Sequence, residues 1–407
     1  GLFVRHAGLS HSLWLVVGWQ AILVVSLFVI TFRYLLKSGH SFLLTFISIL
    51  ILSLTTGIGV YTSQIMADIF TPAGLWSLAL LPFISRRNWV LLAYLAGIIV
   101  VSAMVHLSNL VTFTFLSGLM ILWIIMKRHY PFIIRKGPVI LMLVFTVILS
   151  WFALMLVNYR YSGEFKISRT RHIFLMGRMI ETGAAKVFLE DHCDGATYTL
   201  CQEKDSLPVL SWHFLWDEDS PLYKGGCCET ASWAECWTGK DKEYGEVVNG
   251  ILTDWTYCRI FLRAGISDFF RQLVDFGAPT LPSMMEGSPV KHLIEYHYDN
   301  EYDQYIHSRQ AGTPVTFHIL NLVQTLMIVI TLVFATFFVV TPSYRSLIRS
   351  SILQPFSLII LAGLLVNAAA CSSLAMVADR FQGRVVWLLP ALMIFLIALY
   401  LNELRNK

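Results

Sequence analysis

The stretch Pro138–Asn158, PVILMLVFTVILSWFALMLVN, carries no charged side chain over its twenty-one residues. As a helix it is about 31 Å long, the thickness of a bilayer's hydrocarbon layer. In water such a segment would have to be buried on every face, so it reads as a membrane span. Eight more segments follow the same reading or approach it: 13–36, 41–60, 72–85, 88–106, 110–126, 314–340, 352–375 and 385–402.

Composition agrees. Apolar residues make up 56% of the 407 residues and charged ones 14%, with a mean hydropathy of +0.64. A soluble domain of this length needs a far more charged surface, so the surplus apolar side chains face lipid. The net charge of +4 is spread without a basic tail or stripe, which argues against a nucleic-acid partner.

Basic residues set the direction of insertion. Arg33 and Lys37 follow the first span, and Arg86 and Arg87 separate the third from the fourth. Lys127, Arg128, Arg135 and Lys136 separate the fifth from the sixth. Arg345 and Arg349 separate the seventh from the eighth, and Arg405 and Lys407 end the chain. With nine spans all five clusters fall on one side. The chain is therefore expected to begin outside and end in the cytoplasm of a multi-pass protein of the cell membrane, a bacterial inner membrane. Three regions result: a membrane body of six spans (1–158), an extracytoplasmic domain (159–313), and the last three spans (314–407). The outer domain is expected to be mainly helical, from Arg169 to about Asp191 and again around 244–274, with loops from Cys193 to Lys242. The expected fold class is an all-α polytopic membrane protein with this disulfide-bearing domain inserted between spans six and seven. Gly1 falls in what reads as a loop before a span, so a preceding segment is expected to be missing.

Six of the seven cysteines (Cys193, Cys201, Cys227, Cys228, Cys236 and Cys258) lie in the outer domain. Clustered, even-numbered cysteines outside a membrane suggest disulfides. Cys193 with Cys201 closes the easiest loop, and the other pairings stay open. A metal site is the rival reading, but no repeated CxxC supports one. No cofactor is expected.

The connection 57–71 and its flanks hold the most informative polar residues. Thr71 followed by Pro72 reads as a helix start, with a capping hydroxyl and proline in the first turn. From there to Arg86 the helix has about 14 residues, roughly 21 Å, several ångströms short of a bilayer. Asp68 then sits in a recessed pocket open to the outside, where a carboxylate is costly unless paired or used. A place on a surface loop, or beside the cap, is its other reading. A second outer connection, 376–384, carries Asp379, Arg380, Gln382 and Arg384. Guanidinium groups there suit a phosphate head group, although interfacial anchoring would place them equally well. His106, with Ser108 and Asn109, marks a third outer turn, 106–109. Arg171, Arg178 and Glu181 share one helix face at the start of the outer domain, read first as a solvated surface and second as a phosphate-holding one. Tyr296 belongs to a tyrosine-rich run, 292–307, suited to packing or to stacking on sugar rings. No Walker A or Rossmann glycine pattern in a suitable context and no GxSxG elbow is present, which sets aside ATP-driven transport and common hydrolases.

The layout, together with SLWLVVGWQAILVV (12–25), SQIMADIFTP (63–72) and RFQGRVVWLLP (380–390), resembles the GT-C superfamily of membrane glycosyltransferases, which take sugars from polyprenyl-phosphate carriers. The resemblance spans most of the membrane body through short motifs. It implies that Asp68, or a carboxylate preceding Gly1, acts as general base. Arg380 and Arg384, with Gln382, His106 and Arg171, would hold the carrier phosphate. Gln64, Arg178, Glu181 and Tyr296 would contact substrate. The implied partners are membrane lipids, the polyprenyl-phosphate-linked sugar and a glycan, lipid or protein acceptor. The family's first span and long acidic outer loop would precede Gly1, and its outer domain usually stands at the C-terminus, unlike here. Two other functions fit the same sequence. One is a non-enzymatic component of an envelope or secretion assembly, docking partners through the tryptophan-rich outer domain. The other is a lipid or glycan transporter, which the scarcity of charges within the spans disfavours.

Overall fold

A computed structural model describes residues 2–8, 11–85, 87–126, 136–194, 198–224, 233–282, 289–342 and 352–405. Among them the chain is helical, with a single isolated β-bridge between Leu281 and Val315. Two compact units emerge: residues 1–150, 276–366 and 379–407 form the first, and residues 151–275 with 367–378 the second.

In the first unit the helices are α1 (Leu2–Ala7), α2 (Leu13–Ile30), α3 (Ser41–Thr55), α4 (Ile58–Ser63), α5 (Phe70–Leu80), α6 (Trp89–Val105) and α7 (Leu107–Met126). Next comes α8 (Lys136–Ser162), whose last turns belong to the second unit. Among the described residues six helices are long and apolar enough to cross a membrane: Leu13–Leu35, Leu107–Met126, Gly137–Ser162, His318–Val340, Leu353–Leu374 and Asp379–Asn402. Three shorter apolar helices, Ser41–Thr55, Ala67–Phe83 and Trp89–Val105, occupy the other expected spans. The chain is thus a multi-pass helical membrane protein.

Its polarity is inverted relative to a soluble bundle. On α3 the buried positions are Ser41, Thr45, Ser48 and Leu52, whereas Phe42, Phe46, Leu50 and Leu54 are exposed, Phe42 by 72%. Small hydroxyl residues let helix backbones approach inside the bundle, while large apolar side chains turn outward to lipid. α5 is the central helix, with every residue from Phe70 to Leu80 buried. Gly74 is required there, because a Cβ would lie 2.3 Å from Cζ of Phe113 on α7. Around Trp76 an aromatic cluster of Phe28, Phe32, Phe356, Trp387 and Phe395 fills the body, and the Trp76 indole donates to Thr31 Oγ1 at 2.9 Å.

Several sequence expectations need correction here. The helix at Thr71 starts earlier, with a 3₁₀ turn over Ala67–Ile69 leading into α5. The Thr71 hydroxyl caps nothing, because it donates to Asn109 Oδ1 on α7 at 2.8 Å. The connection 57–71 is partly helical through α4. Residues 276–313, assigned by sequence to the outer domain, pack with the first unit: Asn321 brackets the backbone of Ala278, and Leu281 pairs with Val315.

The second unit contains α9 (Arg171–Glu181), α10 (Ala184–His192), α11 (Ser211–Trp216), α12 (Trp233–Thr253) and α13 (Trp255–Val274). The expected helix over 169–191 breaks at Gly183, whose φ of 79° favours glycine. The expected loop region ends early, since α12 begins at Trp233, and Asp254 splits the following helix by capping α13 through Thr256 N. The core joins Ile173, Met176 and Met179 with Phe188, Phe214, Tyr244, Val247 and Ile251. Cys193 and Cys201 form a disulfide, and Cys236 is also disulfide-bonded. Cys258 is not: it is a free thiol on the first turn of α13. Cys227 and Cys228 lie outside the described residues, as do Arg86, Lys127, Arg128, Arg135, Arg345, Arg349 and Lys407. Of the Arg171–Arg178–Glu181 face expected as a solvated surface, Arg171 is exposed and Glu181 partly so, but Arg178 is fully buried.

Candidate functional site

After residue 276 the chain forms α14 (Pro289–His297), α15 (Asp299–Ile306), α16 (His318–Val340), α17 (Leu353–Leu374), α18 (Asp379–Val386) and α19 (Leu388–Arg405), all in the first unit except the end of α17 from Asn367 on, which belongs to the second. The segment 379–386, expected as an outer connection, is the helical opening of the last apolar helix. Arg384 follows Arg380 by one helical turn, so the two share a face and differ in position along the axis; Arg380 is partly exposed and Arg384 completely buried.

There it meets Asp68. Arg384 Nη1 donates to Asp68 Oδ1 at 2.9 Å, and both side chains are shielded, Asp68 at 3% exposure and Arg384 at 0%. Arg384 Nη2 lies 3.5 Å from Ser108 Oγ, which in turn lies 2.8 Å from His106 Nδ1. The guanidinium carbons of Arg380 and Arg384 lie 5.1 Å and 5.3 Å from the ring centre of Phe381. A desolvated cation over an aromatic face gains about 2 kcal/mol, which offsets part of the cost of burying Arg384. His106 sits in the turn between α6 and α7.

Tyr61 of α4 ties this cluster to the strap that follows Phe276. Its hydroxyl donates to Gly277 O at 2.6 Å and lies 3.5 Å from Arg380 O. The strap crosses α18 so closely that a Cβ on Gly383 would lie 2.1 Å from Gly277 O. Tyr61 and Gly277 were not picked out as site residues from sequence. Their roles depend on a contact between positions 216 residues apart, which no local pattern announces.

Other expected residues fall differently. Gln382 is buried beside Arg384 rather than displayed at a surface. Gln64, one turn before Asp68, has both side-chain amide atoms buried with no hydrogen-bond partner among the described residues. Tyr296 on α14 is 83% exposed. Arg171, Arg178 and Glu181 belong to the second unit. Arg171 Nε donates to His172 Nε2. Arg178 pairs with Asp268 and lies 3.4 Å from Glu181, and Arg271 also bonds Asp268, at 3.1 Å. That network is internal, so Arg178 is committed to holding α9 against α13.

Beside the Asp68 cluster, a cavity of about 630 Å³ lies between α2 and α6. Trp19, Ile22, Tyr94, Gly97 and Val101 line it, with His6 of α1, and Phe70 reaches it only two residues from Asp68. The lining is almost wholly apolar, and the exposed side chains of Trp19, Ile22 and Tyr94 form its rim. Asp68 itself is not part of that lining.

Fold and site together define a helical membrane protein with a buried carboxylate–guanidinium pair at the start of a short central helix. No protein-family model, no characterised protein and no solved structure matches the chain.

Proposed function

We propose that the protein transfers a sugar from a polyprenyl-phosphate carrier to an acceptor at the outer face of the membrane. The observation that supports this reading is the buried Asp68–Arg384 pair, with Arg380 one turn outward and an apolar cavity two residues away at Phe70. In the structure the two charges neutralise each other. An incoming phosphate competes for the guanidinium, because arginine binds phosphate through the same planar donors that it offers a carboxylate. Asp68, released, accepts the proton of the acceptor hydroxyl. The acceptor oxygen bonds to the anomeric carbon as that carbon's bond to the phosphate oxygen breaks. Polyprenyl phosphate leaves as an anion held by Arg384 and Arg380. The carrier's prenyl tail occupies the cavity between α2 and α6.

The reading includes the nine-span topology, with the start of this chain outside, its end in the cytoplasm and the disulfide-bearing unit extracytoplasmic. The protein is placed in a bacterial inner membrane, with its acceptor a glycan, lipid or protein. The test is Asp68→Asn in cells, scored by mass spectrometry of envelope glycans and lipids. Loss of one sugar unit from a defined product is expected. Unchanged products at normal expression would remove Asp68, and with it this function.

A further inference from the structure

The helical hairpin of α14 and α15 is docked on the entry of the first apolar helix. Glu301 of α15 accepts from the Ser12 hydroxyl and from Leu13 N, the latter at 2.9 Å. Asn300 donates to His11 O at 3.0 Å, and the Tyr298 hydroxyl lies 3.5 Å from Val4 O of α1. Leu13 opens a continuous apolar helix to Leu35, and Trp14, on its first turn, is 69% exposed. An exposed indole at the mouth of a span marks the headgroup level, where amphipathic rings settle. These bonds therefore hold the hairpin at that level.

α14 then presents an unusual face. Val290, Leu293 and Tyr296 recur every third residue and are exposed by 41%, 57% and 83%, so they form one stripe on the helix surface. Tyr298, which links α14 to α15, is buried. His292 and Glu295 occupy the neighbouring arc, 3.8 Å apart. In water this stripe would be a standing cost. Against a bilayer it is the pattern of a helix lying in the interfacial plane, apolar side down and polar side up.

We propose that α14 lies in the headgroup layer of the bilayer that the apolar helices cross, with Val290, Leu293 and Tyr296 immersed among the upper acyl carbons. The partner is the lipid surface itself. This placement does not rest on the transferase reading, although Tyr298 also meets α1 at Val4 O, and His6 and Ala7 of that helix line the cavity between α2 and α6.

The test places an environment-sensitive NBD label on a cysteine at position 296 (Tyr296→Cys). The full chain carries Cys258→Ser and Cys371→Ala, which remove the free thiols among the described residues, and is reconstituted in phosphatidylethanolamine–phosphatidylglycerol vesicles. A matched label at position 303 (Asp303→Cys) reports on α15, where the native carboxylate side chain is 86% exposed. The 296 probe should emit to the blue of the 303 probe. It should be quenched by a shallow spin-labelled lipid and protected from aqueous iodide. Water-like emission with equal iodide quenching at both positions would overturn the proposal. Blue-shifted emission that spin-labelled lipid leaves unquenched would also overturn it, because protein and not lipid would then cover the stripe. Leu293→Cys repeats the measurement if the 296 variant fails to elute as a single species.

Discussion

Removing one half of the Asp68–Arg384 pair is expected to damage the protein far more than removing both halves. At 2.9 Å and an effective dielectric of about 20, the direct attraction is of the order of 6 kcal/mol. Most of that compensates for taking two charges out of water, so the net contribution is smaller. A single substitution leaves the desolvation cost without the attraction. Asp68→Asn leaves a fully buried guanidinium facing a neutral amide, and Arg384→Gln leaves a carboxylate at 3% exposure. Each should cost about 3–5 kcal/mol. Asp68→Leu combined with Arg384→Met removes both charges and fills the space with apolar atoms. Its stability should return to within about 1 kcal/mol of the wild type, or exceed it.

The assay is unfolding of detergent-solubilised protein, arranged as a double-mutant cycle with the Leu and Met single variants. A coupling energy of about 3 kcal/mol or more is expected. Costs that add to within about 0.5 kcal/mol would refute the reasoning, since independent sites behave that way. The cycle also separates structure from chemistry. The apolar double variant should fold and yet make no transfer product, whereas wild-type product from it would reduce the pair to a structural clasp.

Three further outcomes follow from particular contacts. Gly383→Ala places a methyl group 2.1 Å from Gly277 O, so the strap must move. A loss of about 1–3 kcal/mol is expected, read as a lower unfolding temperature with the helical circular dichroism retained. In the second unit, the Lys224 ammonium, and next the Ser206 hydroxyl, hold the Glu203 carboxyl below the usual glutamate range. The depressed pKa means this contribution is present above the ordinary glutamate pKa and lost as pH falls through the lowered one. Lys224→Met should move the Glu203 titration back toward the ordinary value in carboxyl carbon NMR. Reducing the Cys193–Cys201 bridge, which closes a loop of eight residues' separation, should cost the second unit roughly 2.5 kcal/mol by loop entropy, and Cys193→Ser should reproduce the loss.

Much of the membrane body was legible because lipid leaves a simple signature. Uncharged runs such as 138–158 can hardly be anything else, and among the described residues six helices are long and apolar enough to cross a membrane. Residues 379–384 were misread for a physical reason. Asp379, Arg380, Gln382 and Arg384 look like a surface connection when counted as charges, but they open a helix whose later residues run into the packed body. Arg380 is partly exposed, whereas Gln382 and Arg384 are buried. A linear hydropathy reading averages over that distinction. The same averaging hid Arg178, whose charge suggested solvent and whose true surroundings are Asp268 and Glu181 from the same unit. The division at residue 276 was illegible for another reason. It depends on Asn321 clasping Ala278 and on Tyr61 clasping Gly277, long-range bonds with no trace in local composition.

The ion pair also bears on why the central helix is short. From Ala67 to Phe83 it has 17 residues, about 25 Å of rise if wholly α-helical, against roughly 30 Å of hydrocarbon. A helix of full length would carry its first turn out to water, where Asp68 could remain ionised without a partner. Ending short leaves the Asp68 carboxylate buried and therefore dependent on a cation from elsewhere in the fold. Arg384 supplies that cation from 316 residues away in sequence, and the π faces of Phe381 and the hydroxyl of Ser108 surround it. Inserting one turn between Asp68 and the buried body of the helix would carry Asp68 outward and therefore relax the demand for Arg384. In such a variant Arg384→Gln should cost clearly less than in the native protein. An unchanged cost would mean that the depth of Asp68 is not what holds the two charges together.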